Sequence, residues 1–285
     1  MKVLCLGGSG GMGRYAVRVI SKFPELEAIT IADLNEEAAK EFANSFDANI
    51  KGIGLDVTDN KKMAKALQEH DLVLNTIGPF FMFGVPILKA AIENKCHYID
   101  ICDDWEPTED MLKLDSQAKK AEITAIIGLG ASPGITNLLA LVAIEELDSV
   151  DTVVTGWDLS SANPEEETSQ KGTNAAMIHG IQQMSGKVKI FEDGKLNMIQ
   201  SLKKIKIDYP GRGIYQANIF GHPEAISFPH HFPQIKNSIN AAHGSNNIDI
   251  FIIKIILWLA EKNIISHDKV ANFFVWLETK MKRHV

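Results

Sequence analysis

The residues with the clearest chemical use lie near the start of the chain, in Gly7-Gly8-Ser9-Gly10-Gly11-Met12-Gly13. Gly8, Gly10 and Gly13 satisfy G-x-G-x-x-G between an apolar run, Lys2 to Leu6, and a segment with helical spacing. In that context the first glycine allows a tight turn and the second lets a diphosphate approach bare backbone. The third lets a helix lie close to a strand. Amides at the helix start would face anionic oxygens, and the helix dipole adds favourable potential. Gly8, Ser9, Gly10, Gly11, Met12 and Gly13 are therefore the expected cofactor-binding turn. Asp33 ends the second apolar run, 20 residues past Gly13. A carboxylate there can accept hydrogen bonds from ribose hydroxyls and would repel a 2′-phosphate. Leu34 and Asn35 supply no cation, so the expected cofactor is NAD or NADP, with NAD favoured.

Two more stretches read as loops at strand ends. Asp56-Val57 is placed to flank an adenine, and Asn75-Thr76-Ile77-Gly78-Pro79 to run beneath the diphosphate and nicotinamide, with Thr76, Gly78 and Pro79 as the contacts. Hydride transfer belongs to the cofactor, so the chain must position the substrate and manage one proton. His97, Asp100, Asp103 and Asp104 sit at or after the fifth expected strand, and Asp103 and His97 are the candidates for that proton. Arg212, between Gly211 and Gly213, is a guanidinium able to grip a substrate carboxylate. Cys96, His97, Asp100 and Cys102 match no common zinc spacing, and alternation along a strand would split them between faces, so no metal is expected. Ser132 lacks the frame of a nucleophile elbow.

These residues need a scaffold, and the first half of the chain alternates strand and helix patterns. Expected strands are Lys2–Leu6, Ala28–Ala32, Ile53–Leu55, Leu72–Asn75, Tyr98–Ile101 and Thr124–Ile127. Between them, Met12, Ala16, Val19, Ile20 and Phe23 form an apolar helical face, with Arg14, Arg18 and Lys22 opposite. Asn35 and Asp59 are placed to cap the second and third helices. Further helices are expected over Val85–Glu93, Thr108–Ala121 and Ile135 to about Leu147. Such alternation implies right-handed crossovers and an α/β fold: a doubly wound parallel Rossmann sheet over residues 1–149. From about residue 150 to 245 the texture changes to a second, smaller mixed α+β domain. It has a strand at Thr152–Trp157, a polar loop over Asn163–Gly172 and a helix over Asn174–Met184. Strand-like runs between Phe191 and Tyr215 are broken at Asp193-Gly194 and Pro210-Gly211. Residues 246–285 read as C-terminal helices.

Composition removes several function classes. Lys and Arg number 29 against 36 Asp and Glu, a net charge of −7 that argues against a nucleic-acid surface. The cysteines, Cys5, Cys96 and Cys102, are widely spaced and form no disulfide framework, which points to the cytoplasm. No targeting segment is visible, and the apolar run Ile248–Ala260 is too short to span a bilayer, so no membrane partner is expected.

Several blocks together resemble the saccharopine dehydrogenase-like family, which includes saccharopine reductases and carboxynorspermidine dehydrogenases. They are Gly7 to Gly13, Gly78-Pro79-Phe80 with Gly84, Ala90-Ala91-Ile92-Glu93 leading to His97-Tyr98-Ile99-Asp100, and Gly128 to Asn137. Gly221-His222-Pro223-Glu224 looks like a recurrent element of the family's second domain, which makes His222 and Glu224 expected cleft residues beside Arg212. The resemblance implies a nicotinamide-dependent oxidoreductase acting at a C–N bond of an amino acid or polyamine-like small molecule, and a homodimer built through the second domain. Chains of this family usually continue past this length with a segment returning to the nucleotide-binding domain, so a truncated form or short paralogue is expected. The alternative is a regulator that binds dinucleotide without turnover.

Overall fold

The computed structural model describes residues 1–46, 49–158, 184–244, 253–259, 262 and 264–265. The chain divides between Ile135 and Thr136 into two units. The division thus falls at the first residue of the helix Ile135–Glu145, whereas the sequence put the boundary near residue 149. The polar loop expected over 163–172, nearly all of the helix over 174–184 and most of the C-terminal helices lie outside the described residues. Of the apolar run 248–260, residues 253–259 are helical. Among the described residues no helix is long and apolar enough to cross a membrane.

In the first unit, β1 (Lys2–Leu6), β2 (Ala28–Asp33), β3 (Ile50–Gly54), β4 (Leu72–Asn75), β5 (His97–Asp100) and β6 (Ala125–Ile126) form one sheet. The order is β3-β2-β1-β4-β5-β6 and every pairing is parallel. This is the doubly wound arrangement, with its topological switch between β1 and β4. Its strands are apolar because both faces are covered. One layer packs Val3, Cys5, Ile29 and Ile31 with Val17 and Phe42; the other packs Leu4, Leu6 and Val73 with Leu88 and Tyr98.

Capping differs between the helices. In α2 (Glu36–Ala43) the Asn35 side chain accepts the Ala38 amide at 3.1 Å, and in α3 (Asn60–Gln68) Asp59 accepts from Lys61 and Lys62. In α1 (Gly11–Ile20) Gly10 takes the cap position and no side chain caps it. The orientation of α1 also departs from the expected face. Gly13 and Val17 are buried, whereas Met12, Val19 and Phe23 are exposed, and the Arg14 and Arg18 guanidinium groups lie 4.4 and 5.7 Å from the Phe42 ring centre. The cause is a single close approach. A Cβ on Gly13 would stand 2.1 Å from the Gly7 carbonyl oxygen, so the helix must turn Gly13 inward. Val17, one turn on, follows it.

The remaining helices of this unit are α4 (Phe80–Glu93), α5 (Trp105–Leu112) and α6 (Asp115–Ala121). α4 starts earlier than its spacing implies, because Phe80 and Gly84 are buried with Ile87, Leu88 and Ala91. The single helix expected over Thr108–Ala121 is two, broken near Lys113-Leu114, and the first begins at Trp105 after Asp104.

In the second unit, α7 (Ile135–Glu145) precedes β7 (Thr152–Asp158). β8 (Lys187–Glu192), β9 (Lys195–Gln200), β10 (Lys204–Tyr209), β11 (Gly213–Ile219) and β12 (Asn237–His243) complete a second sheet, with α8 (Glu224–His231) before β12. Its order is β10-β11-β12-β8-β9, and β7 pairs parallel with β12 in an otherwise antiparallel sheet. Asp193 and Gly194, both at positive φ, close the β8–β9 hairpin as the sequence implies. Phe228 of α8 packs with Val153 and Ile235, and Ala140 and Ile144 of α7 lie against them.

Candidate functional site

The β1–α1 turn and the β4–α4 loop meet at the switch point. The Thr76 hydroxyl and amide both donate to the Leu6 carbonyl, at 2.8 and 3.0 Å. Positive φ falls on Gly7 (67°), not on Gly8, so the tight turn belongs to the residue before the motif's first glycine. Gly8 is needed for packing instead: a Cβ there would lie 3.0 Å from the Cys5 carbonyl oxygen and 3.1 Å from Ile31. At Gly10 a Cβ would meet only the Gly7 oxygen, at 3.3 Å, and at Gly11 and Gly78 nothing within 4 Å. Bare backbone therefore fronts open space at the N-terminus of a helix that lacks a side-chain cap. The amides of such a first turn have no intrahelical acceptor, so the residues present fit the diphosphate of a dinucleotide.

Beside this turn stands Asp33. Its Oδ2 accepts the Ser9 hydroxyl at 2.6 Å and its Oδ1 accepts the Asn35 amide at 3.3 Å. Arg14 Nε donates to the Ser9 carbonyl at 2.7 Å, which holds the same loop from the helix side. Asp56 closes its own turn by accepting the Thr58 amide and hydroxyl, and these bonds hold its carboxyl below the usual range. Val57, half-buried after β3, borders a groove of about 660 Å³ between α3 and α4 that Met63, Met82, Phe83 and Pro86 also line. The Gly78-Pro79 peptide is cis.

Along the same edge a buried chain of hydrogen bonds links three loops. Asn75 Oδ1 accepts the Ile77 amide at 3.0 Å, and Asn75 Nδ2 donates to the Tyr98 hydroxyl at 3.1 Å. The Tyr98 hydroxyl donates to Asp100 Oδ2 at 2.7 Å. Asp100 Oδ1 accepts the amides of Cys102 (3.0 Å) and Gly128 (2.7 Å). Asn75, Tyr98 and Asp100 are all sealed from solvent. Burial pushes both the Tyr98 phenol and the Asp100 carboxyl upward, so the phenol keeps its proton. Sequence reasoning grouped Asp100 with proton-transfer candidates, placed Asn75 in the loop beneath the dinucleotide, and missed Tyr98. The available signal was a polar residue at an inward position of an apolar strand.

The candidate catalytic residues separate. Asp103 and Asp104 follow β5 at its carboxyl end and are half-buried; Asp104 is the cap residue of α5. His97 is corrected: it opens β5 at the amino end, a strand length of roughly 10 Å from the ligand edge. There its Nδ1 accepts the Thr124 amide at 2.9 Å. Cys5 and Cys96 are buried thiols pushed up to about 12, and burial raises Cys102 as well. All three cysteines are free, and among the described residues no three metal-ligating side chains converge.

In the second unit Arg212 is exposed in the turn after β10, its amide donating to the Tyr209 carbonyl at 2.8 Å. His222 and Glu224 come together, but away from solvent, which corrects their assignment to a substrate cleft. Both are 0% exposed, and His222 Nδ1 donates to Glu224 Oε2 at 2.6 Å. Thr136 of α7 donates to Glu224 Oε1 at 2.7 Å and Asn240 of β12 to Oε2 at 3.0 Å. Asn240 also donates to Thr155 of β7. The imidazole is packed edge-on against Trp157 and Phe220, 5.1 and 5.3 Å between ring centres. This network binds a helix layer to the sheet.

The comparisons bear on this geometry. The model of the saccharopine dehydrogenase NADP binding domain matches residues 3–126. The NADP(+), L-glutamate-forming saccharopine dehydrogenase of Schizosaccharomyces pombe is 32% identical over 147 residues, covering 52% of this chain and 31% of that protein. Carboxynorspermidine synthase of Vibrio alginolyticus is 21% identical over 213 residues, covering 70% of this chain and 50% of that protein. Apo saccharopine dehydrogenase (L-Glu forming) of Saccharomyces cerevisiae superposes with a TM-score of 0.58 at 22% identity, over 85% of this chain and 54% of that one, a likeness of fold. The matches thus span between about a third and about a half of these relatives.

Proposed function

On the premise that the first unit is a nucleotide-binding domain of the saccharopine dehydrogenase type, we propose that this protein is an NAD(P)-dependent oxidoreductase. It acts at a C–N bond of an amino acid or polyamine-like substrate. The observation that carries the reading is the uncapped start of α1, with bare backbone at Gly10 and Gly11, beside the Ser9–Asp33 pair. Its amides hold the diphosphate, Asp33 receives the ribose hydroxyls, and Thr76, Gly78 and Pro79 run under the nicotinamide end. When bound, the dinucleotide supplies or takes the hydride. The chain's own residues orient the partners: Asp103 handles the proton at the substrate nitrogen, and Arg212 takes a substrate carboxylate.

NAD is preferred to NADP in this reading. A second phosphate beside the Asp33 carboxylate would be repelled, and Leu34 next to it is exposed and carries no charge. The NADP in the names of the relatives belongs to those proteins. The protein works in the cytosol as a homodimer.

The test is titration of the purified chain with NAD, NADP and their reduced forms. Wild type binds NAD more tightly. Gly10→Val weakens every form by about 100-fold or more, since a branched side chain would occupy the open space, and an unchanged affinity removes the reading. Asp33→Ala shifts the NAD-to-NADP ratio toward NADP by roughly tenfold, a charge effect near one pKa unit in size. A ratio that stays put takes Asp33 out of the ribose site. Turnover is then read as coenzyme absorbance change with saccharopine, lysine and polyamines.

A further inference from the structure

Asp100 differs from the other carboxylates of the ligand edge. Asp33, Asp103 and Asp104 are half-buried and Asp56 is exposed, whereas Asp100 is sealed from solvent. Its donors are two backbone amides and a phenol, none of them a cation. The sequence holds no Lys or Arg between Lys95 and Lys113, and Asp103 adds a like charge nearby. The directions of the bonds define the charge. Tyr98 accepts from Asn75 and donates its own proton to Oδ2, while Oδ1 takes two N–H groups. Both Asp100 oxygens are thus used as acceptors, as an ionised carboxylate requires. A buried negative charge without a counter-cation is costly, and a cation arriving at the same edge offsets part of that cost.

A dinucleotide with its diphosphate at the β1–α1 turn and its first ribose at Asp33 on β2 extends its other nucleoside toward β4 and β5. That nucleoside carries the nicotinamide, cationic when oxidised and neutral when reduced. We propose that Asp100 gives the nucleotide site a preference for the oxidised coenzyme, its buried negative charge attracting the cationic ring and leaving the neutral ring unaffected. This rests on the dinucleotide reading above. Tyr98 and Asn75 are the positioning residues: they hold the Asp100 carboxylate and the Ile77 loop in one chain of bonds. For charges on the order of 10 Å apart in a medium of effective dielectric about 20, the attraction amounts to roughly a tenfold difference in affinity.

The experiment is calorimetric titration of the full chain with the oxidised and the reduced form of NAD, for wild type and Asp100→Asn. Asparagine is close in shape, and its Oδ1 still accepts the two amides. The expected result is that the oxidised form weakens about tenfold relative to the reduced form. A loosened loop would weaken both forms alike, so equal weakening, or an unchanged ratio, overturns the proposal. Should Asp100→Asn not fold, Asp103→Asn is measured instead. It is expected to shift the ratio in the same sense but less, because Asp103 is partly screened by solvent; no shift there overturns the proposal too. Wild type that binds neither form removes the dinucleotide reading itself, an outcome distinct from binding both forms without a shift between variants.

Discussion

Among the described residues two carboxylates are wholly buried, Asp100 in the first unit and Glu224 in the second, and their partners differ in kind. Asp100 is held by Tyr98 and by the amides of two strand-end loops. Glu224 is held by side chains of packed elements: Thr136 on α7, Asn240 on β12 and the His222 imidazole. The difference teaches where each acts. A carboxylate that collects loop amides at the carboxyl edge of a parallel sheet shapes the place where ligands bind. A carboxylate that collects side chains between a helix layer and a sheet specifies how the layers dock.

The contrast can be broken by substitution. Glu224→Ala leaves an imidazole, a hydroxyl and an amide buried without their acceptor, and is expected to cost about 3–5 kcal/mol. Urea unfolding of the second unit reads this, and dinucleotide affinity stays within about twofold. A parallel loss of affinity would erase the distinction. Tyr98→Phe deprives Asn75 and Asp100 of a shared partner and is expected to cost roughly 1–3 kcal/mol. Here dinucleotide affinity falls as well, because Asn75 holds the Ile77 amide; stability lost with unchanged affinity would make the Asp100 network no different from that of Glu224. Thr136→Val removes one donor to Glu224 and is expected to cost about 1 kcal/mol with no change in affinity.

The smallest effect is in pH. Burial raises the Asp100 carboxyl above its ordinary value. Protonation of this group therefore favours the folded state. The stability it contributes is present in acid, below the unfolded value, and is lost as pH rises through the higher folded value. Asp100→Asn has no such dependence, so its stability relative to wild type should improve as pH rises across that window. Parallel pH profiles of the two proteins would show that Asp100 carries no shift.

Much of the first unit was legible, and for local reasons. β1 and β4 fall on the expected residues, since Lys2–Leu6 and Leu72–Asn75 are apolar runs, the first ending at Gly7 and the second shortly before Gly78-Pro79. The Asn35 and Asp59 caps are local hydrogen bonds, visible in spacing alone. β3 shifted to Ile50–Gly54 because it contains Gly52, where a Cβ would stand 2.4 Å from the Ala39 backbone of α2. A strand thinned by a helix reads as a broken pattern. In the second unit α8 and β12 went unseen, because Glu224, Ser238 and Asn240 are polar residues turned inward and satisfied by one another. Nothing in a linear pattern separates such a residue from one that faces water.

What the amino-acid order alone determined was the alternation of strands and helices, the glycine turn after β1 and the carboxylate that ends β2. Each depends on residues within a few positions of one another, where φ/ψ preference, capping and hydrophobic period act. Only the tertiary structure decided the division of buried polar groups between Asp100 and Glu224. That depends on contacts between residues far apart in the chain: Asp100 with Gly128, Glu224 with Thr136. A side chain's burial, and with it its charge and its chemistry, is a property of what the fold sets beside it.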